Sequence, residues 1–121
     1  MPQIADYSIV ADGWMLESGA AGGSEKAFDV PPNVSSGARS ILGFTLKVWH
    51  ADDMNLKLRM NGTEVWDWNW SGEGTHLQYF QEVMPAGLIK PGNNVLSFDS
   101  SSGDFRQVQL SDVVVWWQAN I

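Results

Sequence analysis

Residues 60–70, with the sequence MNGTEVWDWNW, combine a hairpin turn with three tryptophans at every second position. Asn61-Gly62 is the pair that a type I′ turn favours, because both central residues of that turn have positive φ. A two-residue turn also fixes which residues face each other across the hairpin. The predicted cross-strand pairs are Met60 with Thr63, Arg59 with Glu64, Leu58 with Val65 and Lys57 with Trp66.

This register assigns each residue of the hairpin to one side of the sheet. The predicted core face carries Leu56, Leu58, Met60, Thr63 and Val65. The predicted solvent face carries Lys57, Arg59, Glu64, Trp66, Trp68 and Trp70. An exposed row of indoles indicates a surface that binds a ligand or a partner. A bulge after Val65 would instead turn the remaining indoles inward.

The composition of the 121 residues limits the classes of protein to consider. Hydrophobic residues make up 44% and charged residues 17%, which is typical of a globular protein. No apolar run is long enough for a transmembrane helix. The sequence therefore predicts a single globular domain over residues 1–121. The net charge of −7 repels phosphates and anionic lipids, so we expect neither nucleic-acid nor membrane binding. Cysteine is absent, which excludes disulfides. No signal peptide is visible in the first residues, so localisation stays open.

Short alternating segments separated by Gly and Pro predict an all-β protein, an antiparallel β-sandwich of about eight strands. In the last segment, Ser111-Asp112 marks a predicted bulge, because the apolar residues before and after it lie out of phase. Beyond that bulge Trp117 is predicted to face the core and Trp116 the outside. The predicted strands are 4–10, a short 14–17, 25–30, 40–50, 55–60, 63–70, 76–84, 94–99 and 106–118.

Residues 41–117 resemble the jelly-roll, galactose-binding-domain-like sandwiches of many glycoside hydrolases and carbohydrate-binding modules. Three pieces carry the likeness: ILGFTLKVWHADDMNLKLRMNGTEVW, EVMPAGLIKPGNNVLSF and VQLSDVVVWW. In that family, positions matching Asn61, Gly62, Pro91, Gly92 and Asn94 are turn residues that support the sandwich and do not bind sugar. The resemblance implies a jelly-roll fold and an association with carbohydrate.

The tryptophan row leads to the main functional hypothesis. Residues of one face repeat about every 6.7 Å along a strand, so three indoles form a strip on which the C–H faces of a sugar can stack. Nearby polar side chains would bind the sugar hydroxyls. The candidate ligand-binding residues are Trp66, Trp68, Trp70, Trp49, Lys57, Glu64, Gln78 and His76. Packing of the indoles in the core, or in a subunit interface, is the alternative.

Carboxylates in the turns are candidates for a calcium site, because Ca²⁺ prefers hard oxygen ligands and related modules often hold a structural calcium. The candidates are Asp52, Asp53, Asp99 and Asp104. Asp is also an ordinary turn residue that bonds its own backbone, so no metal or other cofactor is expected as a requirement.

Catalysis is not expected. The only histidines are His50 and His76, which cannot provide the paired histidines of a cupin-type metal site. No nucleophile elbow is present. The sequence therefore predicts a non-catalytic, lectin-like carbohydrate-binding module. A single such site is weak, so we expect a homo-oligomer that gains avidity. The alternative function is a structural or assembly subunit whose exposed tryptophans form a protein–protein interface.

Overall fold

Eight strands form two antiparallel sheets in the computed structural model, which describes residues 3–16, 25–51, 54–70, 75–100 and 105–120. No helix among them is long and apolar enough to cross a membrane. The strands are β1 (Gln3–Leu16), β2 (Glu25–Val30), β3 (Ile41–Ala51), β4 (Met54–Met60), β5 (Thr63–Trp70), β6 (His76–Val83), β7 (Gly92–Ser100) and β8 (Phe105–Asn120).

The first sheet has the order β1-β8-β3-β6 and the second sheet the order β2-β7-β4-β5. Successive strands alternate between the two sheets except at the β4–β5 hairpin. This arrangement confirms the predicted jelly-roll sandwich of eight strands. The predicted break near residues 11–13 is wrong. Strand β1 continues to Leu16 with one register shift, because the part of β8 from Val108 to Asn120 pairs with it from Leu16 to Gln3.

The core lies between the two sheets and contains the apolar faces that alternation predicts. Phe44, Leu46 and Val48 of β3 are completely buried. Leu58 and Met60 of β4 face them from the second sheet and are equally inaccessible. Burying each of these large side chains contributes about 2 kcal/mol.

The hairpin turn forms as predicted, with φ of 51° at Asn61 and 87° at Gly62. The Asn61 side chain links this turn to the neighbouring strand β7 through hydrogen bonds. Its Oδ1 accepts a hydrogen bond from the Val95 N–H, and its Nδ2 donates to Asn94 Oδ1, both at 2.9 Å. Asn94 is buried and also bonds both backbone groups of Lys90. These turn residues support the sandwich, as the resemblance implied.

Strand β8 changes phase at the predicted bulge. Asp112 has a φ of 50°, and the pairing of β8 with β3 shifts at this point. Val108 and Leu110 before the bulge and Val113, Val115 and Trp117 after it are all buried. The bulge therefore lets one long strand keep its apolar residues on the core side over its whole length.

Candidate functional site

A second bulge, in β5, decides where the tryptophans lie. Met60 pairs with Thr63 and Arg59 with Glu64, as the turn predicts, but Leu58 pairs with Trp66. Val65 is the extra residue that has no partner opposite it. The predicted Leu58–Val65 and Lys57–Trp66 pairs are therefore wrong, and the indole of Trp66 lies on the core face with only 4% exposure.

The other two tryptophans follow Trp66 onto the inner face of the second sheet. Trp68 lies opposite Leu56, which is completely buried, and Trp70 lies opposite Met54. Both indoles are partly buried and pack against the core. The expectation that the three tryptophans form a row on the solvent face is thus corrected, because a one-residue shift exchanges the two faces of a strand.

The three indoles form a stacked series, which we call the aromatic ladder. The ring centroids of Trp66 and Trp68 are 6.1 Å apart and those of Trp68 and Trp70 are 5.7 Å apart, with interplanar angles of 12° and 23°. At its buried end, Trp66 makes edge contacts with Phe44 at 4.9 Å and Phe80 at 5.1 Å. The ladder thus runs from the core toward the partly exposed Trp70.

Strand β6 supplies the other side of the site. His76, Gln78 and Phe80 pair with buried residues of β3 and therefore face inward, which settles the orientation that alternation alone leaves open. The His76 ring packs against Trp70 at 4.9 Å and Trp68 at 5.5 Å. Its Nε2 atom is hydrogen-bonded to Gln78 Oε1 at 2.8 Å.

Strands β5 and β6 are edge strands of different sheets that face each other across the side of the sandwich. We call the space between them the β5–β6 opening, lined by Trp68, Trp70, His76 and Gln78. The Nε1 atom of Trp70 is buried, yet it has no hydrogen-bond partner among the described residues. A buried donor without an acceptor costs about 1–3 kcal/mol, so this indole N–H is a position where an incoming acceptor would gain most.

Three of the predicted site residues lie elsewhere. Lys57 and Glu64 are on the outer face of the second sheet, where Lys57 Nζ is 3.7 Å from Glu64 Oε1. Trp49 is on the outer face of the first sheet, with Lys47 Nζ 4.6 Å from its ring centroid. The structure therefore brings together five of the eight candidates, namely Trp66, Trp68, Trp70, His76 and Gln78.

Of the calcium candidates, the described part of the chain contains only Asp99, while Asp52, Asp53 and Asp104 lie outside it. Asp99 Oδ2 accepts a hydrogen bond from Arg59 Nη1 at 2.9 Å, so a cation already neutralises this carboxylate. Within the described ranges, no three acidic or histidine side chains come close enough to hold a metal ion.

Phe80 is the residue of this site that sequence reasoning missed. It touches Trp66, Trp68 and Phe44, and so connects the two sheets at the opening. The alternation in β6 did put it on the same face as His76. It could not identify that face as the inner one, because Leu77, Tyr79 and Val83 make the opposite face equally apolar.

Solved structures share this fold at low sequence identity. Dimeric latent PorU from Porphyromonas gingivalis has a TM-score of 0.61 and 12% identity, over 98% of this chain and 13% of that chain. A β-porphyranase of glycoside hydrolase family 86 from Bacteroides plebeius has a TM-score of 0.58 and 15% identity, over 97% of this chain and 21% of that chain. This chain thus spans a small part of either protein.

The C-terminal domain of EclA, described as a sugar-binding protein, has a TM-score of 0.54 and 8% identity, over 95% of this chain and 79% of that chain. At these identities the likeness concerns the fold, and it confirms the predicted resemblance to the β-sandwich of carbohydrate-binding proteins. No protein-family model matches the chain, and no curated protein matches it.

Proposed function

We propose that this protein is a non-catalytic carbohydrate-binding module whose ligand enters the β5–β6 opening. The observation that carries the proposal is the buried, unpartnered Nε1–H of Trp70 beside partly buried aromatic rings. A sugar hydroxyl supplies the acceptor that this donor lacks once the Trp70 side chain turns its N–H toward the opening. The C–H face of the same sugar covers aromatic surface, which gives the two kinds of contact that sugar recognition needs.

Each residue of the opening has a defined part in this mechanism. Trp70, at the outer end of the aromatic ladder, provides the stacking surface and the N–H donor. His76 and Gln78 already share a hydrogen bond, and their remaining polar atoms bind further hydroxyls. Trp66 is too deeply buried to touch the ligand, so its part is to hold Trp68 and Trp70 in position.

The chemistry of the opening favours binding over catalysis. Glycosidic cleavage by the usual routes uses a pair of carboxylic acids at the scissile bond. The hydrogen-bond partner of His76 is the amide of Gln78. A neutral amide does not exchange protons with a glycosidic oxygen, whereas it both donates to and accepts from hydroxyls.

The fold supports the same proposal at a coarser level. The EclA domain is a sugar-binding protein and the porphyranase is a glycoside hydrolase, so this sandwich occurs in carbohydrate-active proteins. A fold alone does not define a function, and the argument therefore depends on the opening.

The alternative, an assembly subunit joined through its tryptophans, is less favoured, because Trp66 is buried and Trp68 and Trp70 present only part of their surface. They face the inside of the sandwich and stack on each other and on His76.

The proposal is tested by glycan-array screening followed by calorimetric titration with the best oligosaccharide. Trp70→Phe keeps an aromatic ring but removes the N–H, and we expect a roughly tenfold weaker Kd, equivalent to about 1.4 kcal/mol. Trp70→Ala removes the ring as well and should abolish measurable binding. Trp49→Phe, on a different face, serves as the matched control and should bind like wild type. Unchanged binding by Trp70→Ala, or no binding of any glycan by the wild-type protein, would overturn the proposal.

A further inference from the structure

Asn61 is the only asparagine of the chain that precedes a glycine. Because glycine has no side chain, the backbone nitrogen of Gly62 is unhindered. An Asn-Gly pair is therefore the dipeptide at which an asparagine amide most readily reacts with its own backbone. The reaction is deamidation, and it requires the Gly62 nitrogen to reach the side-chain carbon of Asn61.

Three hydrogen bonds hold the side-chain amide of Asn61. Its Nδ2 atom donates to the Leu88 carbonyl and to Asn94 Oδ1, both at 2.9 Å. Its Oδ1 atom accepts from the Val95 N–H at the same distance. Both hydrogens of the amide and its oxygen are thus engaged, and the surrounding donors and acceptors fix which atom is nitrogen and which is oxygen.

Asn94 cannot reorient to suit a different neighbour. It is completely buried, its Oδ1 accepts from the Lys90 N–H, and its Nδ2 donates to the carbonyls of Lys90 and Gly92. A reversed Asn94 amide would place its oxygen against two carbonyl oxygens. The Nδ2 atom of Asn61 therefore faces two fixed acceptors, the Leu88 carbonyl and Asn94 Oδ1.

The Asn61 side chain also points away from the atom that would attack it. Strand β4 lies between β7 and β5 in the second sheet. The amide of Asn61 is bonded to Val95 of β7 on one side of β4, whereas Gly62 leads the chain to β5 on the other side. The Asn61 N–H donates to the Val95 carbonyl as well, at 2.9 Å. The Gly62 nitrogen thus reaches the side-chain carbon only after the bonds to β7 have broken.

We propose that Asn61-Gly62 is a self-modification site, which the fold protects and which reacts when the β4–β5 hairpin separates from β7. In the reaction, the Gly62 nitrogen gives up its proton and forms a bond to Asn61 Cγ. The Cγ–Nδ2 bond breaks and its nitrogen leaves as ammonia, so that a cyclic succinimide remains. Water then opens the ring at either carbonyl, and the product is aspartate or isoaspartate.

Neither product fits the place that Asn61 occupies. In aspartate, a carboxylate oxygen replaces Nδ2 and faces the Leu88 carbonyl and Asn94 Oδ1, so three acceptors meet without a hydrogen between them. Isoaspartate lengthens the backbone of a two-residue turn whose φ angles are 51° and 87°. A hairpin that reacts while it is open therefore cannot return to its native position on β7.

The modification also removes the β5–β6 opening. Strand β5 follows the turn directly and carries Trp68 and Trp70. A hairpin that no longer packs against β7 cannot hold these indoles against His76. The proposal concerns the turn itself, so it succeeds or fails independently of any sugar.

Peptide mass spectrometry after incubation in warm, mildly alkaline buffer tests the proposal. The wild-type protein unfolded in guanidinium chloride should exchange the amide NH2 of Asn61 for OH at least roughly 100-fold faster than the folded protein. Asn94→Ala removes one acceptor of the Asn61 amide, so the folded variant should react at least roughly tenfold faster than folded wild type. Asn93→Ala, at the exposed neighbouring position, is the matched control and should react like wild type.

A second measurement does not depend on the folding of Asn94→Ala. Wild-type protein in increasing denaturant, below its unfolding midpoint, should react in proportion to the fraction of chains in which the hairpin is open. Asn61→Asp reproduces one product and should lower the urea midpoint at neutral pH, because its carboxylate faces the same two acceptors. Equal rates in folded and unfolded wild-type protein, or an unchanged midpoint in Asn61→Asp, would overturn the proposal.

Discussion

Leu58 lies directly opposite Trp66, so the indole shares the buried face of the second sheet with the aliphatic residues of β4. The residue between Glu64 and Trp66, Val65, has no partner across the hairpin. One unpaired residue thus sets the side of the sheet on which all three ladder tryptophans lie. The position of the proposed sugar site depends on it.

Deletion of Val65 should leave the tryptophans buried. Without the extra residue, Glu64 still faces Arg59 and Trp66 still faces Leu58, now in a regular ladder. We expect an unchanged tryptophan emission maximum and a change in stability of about 1 kcal/mol.

Insertion of one alanine between Trp66 and Asp67 is the opposite test. It sends Trp68 and Trp70 to the solvent face, so their emission should shift to the red. A red shift after the deletion, rather than after the insertion, would contradict the register described above.

Trp66→Ala should cost about 3–5 kcal/mol of unfolding free energy, because it leaves a large cavity among Phe44, Phe80 and Trp68. Domains of this size have a total stability of about 5–15 kcal/mol, so the variant should be marginal. Urea unfolding followed by circular dichroism measures the loss. Trp49→Ala, on the outer face of the first sheet, should cost much less, and equal losses would mean that the ladder has no special part in the core.

Asn94→Ala should destabilise the protein by about 3 kcal/mol. The substitution removes the acceptor of the Lys90 N–H and of the Asn61 amide, and it leaves the Lys90 carbonyl without its donor. Asn93→Ala, one residue earlier and exposed, is the control and should change stability by less than about 1 kcal/mol. Similar midpoints for the two variants in urea would show that the network at the turn is dispensable.

Gly43→Ala should lift Trp116 and the Tyr79 hydroxyl from the sheet, at a cost of about 1–3 kcal/mol. The displaced indole becomes more accessible, so quenching of tryptophan emission by iodide should increase. At Gly37 an added Cβ meets no atom within 4 Å, and Gly37→Ala should change neither quantity. If quenching stays constant in Gly43→Ala, the indole does not lie over this glycine.

Much of the fold follows from short-range rules. The Asn61-Gly62 turn, the phase change at Asp112 and the buried face of β3 are each determined by residues close in sequence. Backbone conformation at a turn and alternation along a strand need no knowledge of the rest of the molecule.

The site was harder to predict because its position depends on contacts between distant strands. Val65 and Trp66 are adjacent and both apolar, so either residue can face the core, and the bulge is selected by the fit of the larger one against Phe44 and Phe80. Strand β6 is apolar on both faces, and only its pairing with β3 decides that His76 points inward. Trp49 and Lys57 each lie on the polar face of their own strand, where the sugar site was expected. Trp49 belongs to the outer face of the first sheet and Lys57 to the outer face of the second sheet, so the two residues do not come together.

Strand β6 is hydrogen-bonded to one neighbour and contributes alternate side chains to two surfaces, the opening and the outer face of the first sheet. A ligand that shifts the β6 backbone at His76 or Gln78 therefore also shifts Leu77 and Tyr79 on the opposite side, whereas a change of side-chain rotamer does not. Thermodynamic reciprocity then applies: if a sugar in the opening favours one arrangement of β6, any contact on the outer face that holds the same arrangement strengthens sugar binding by the same factor.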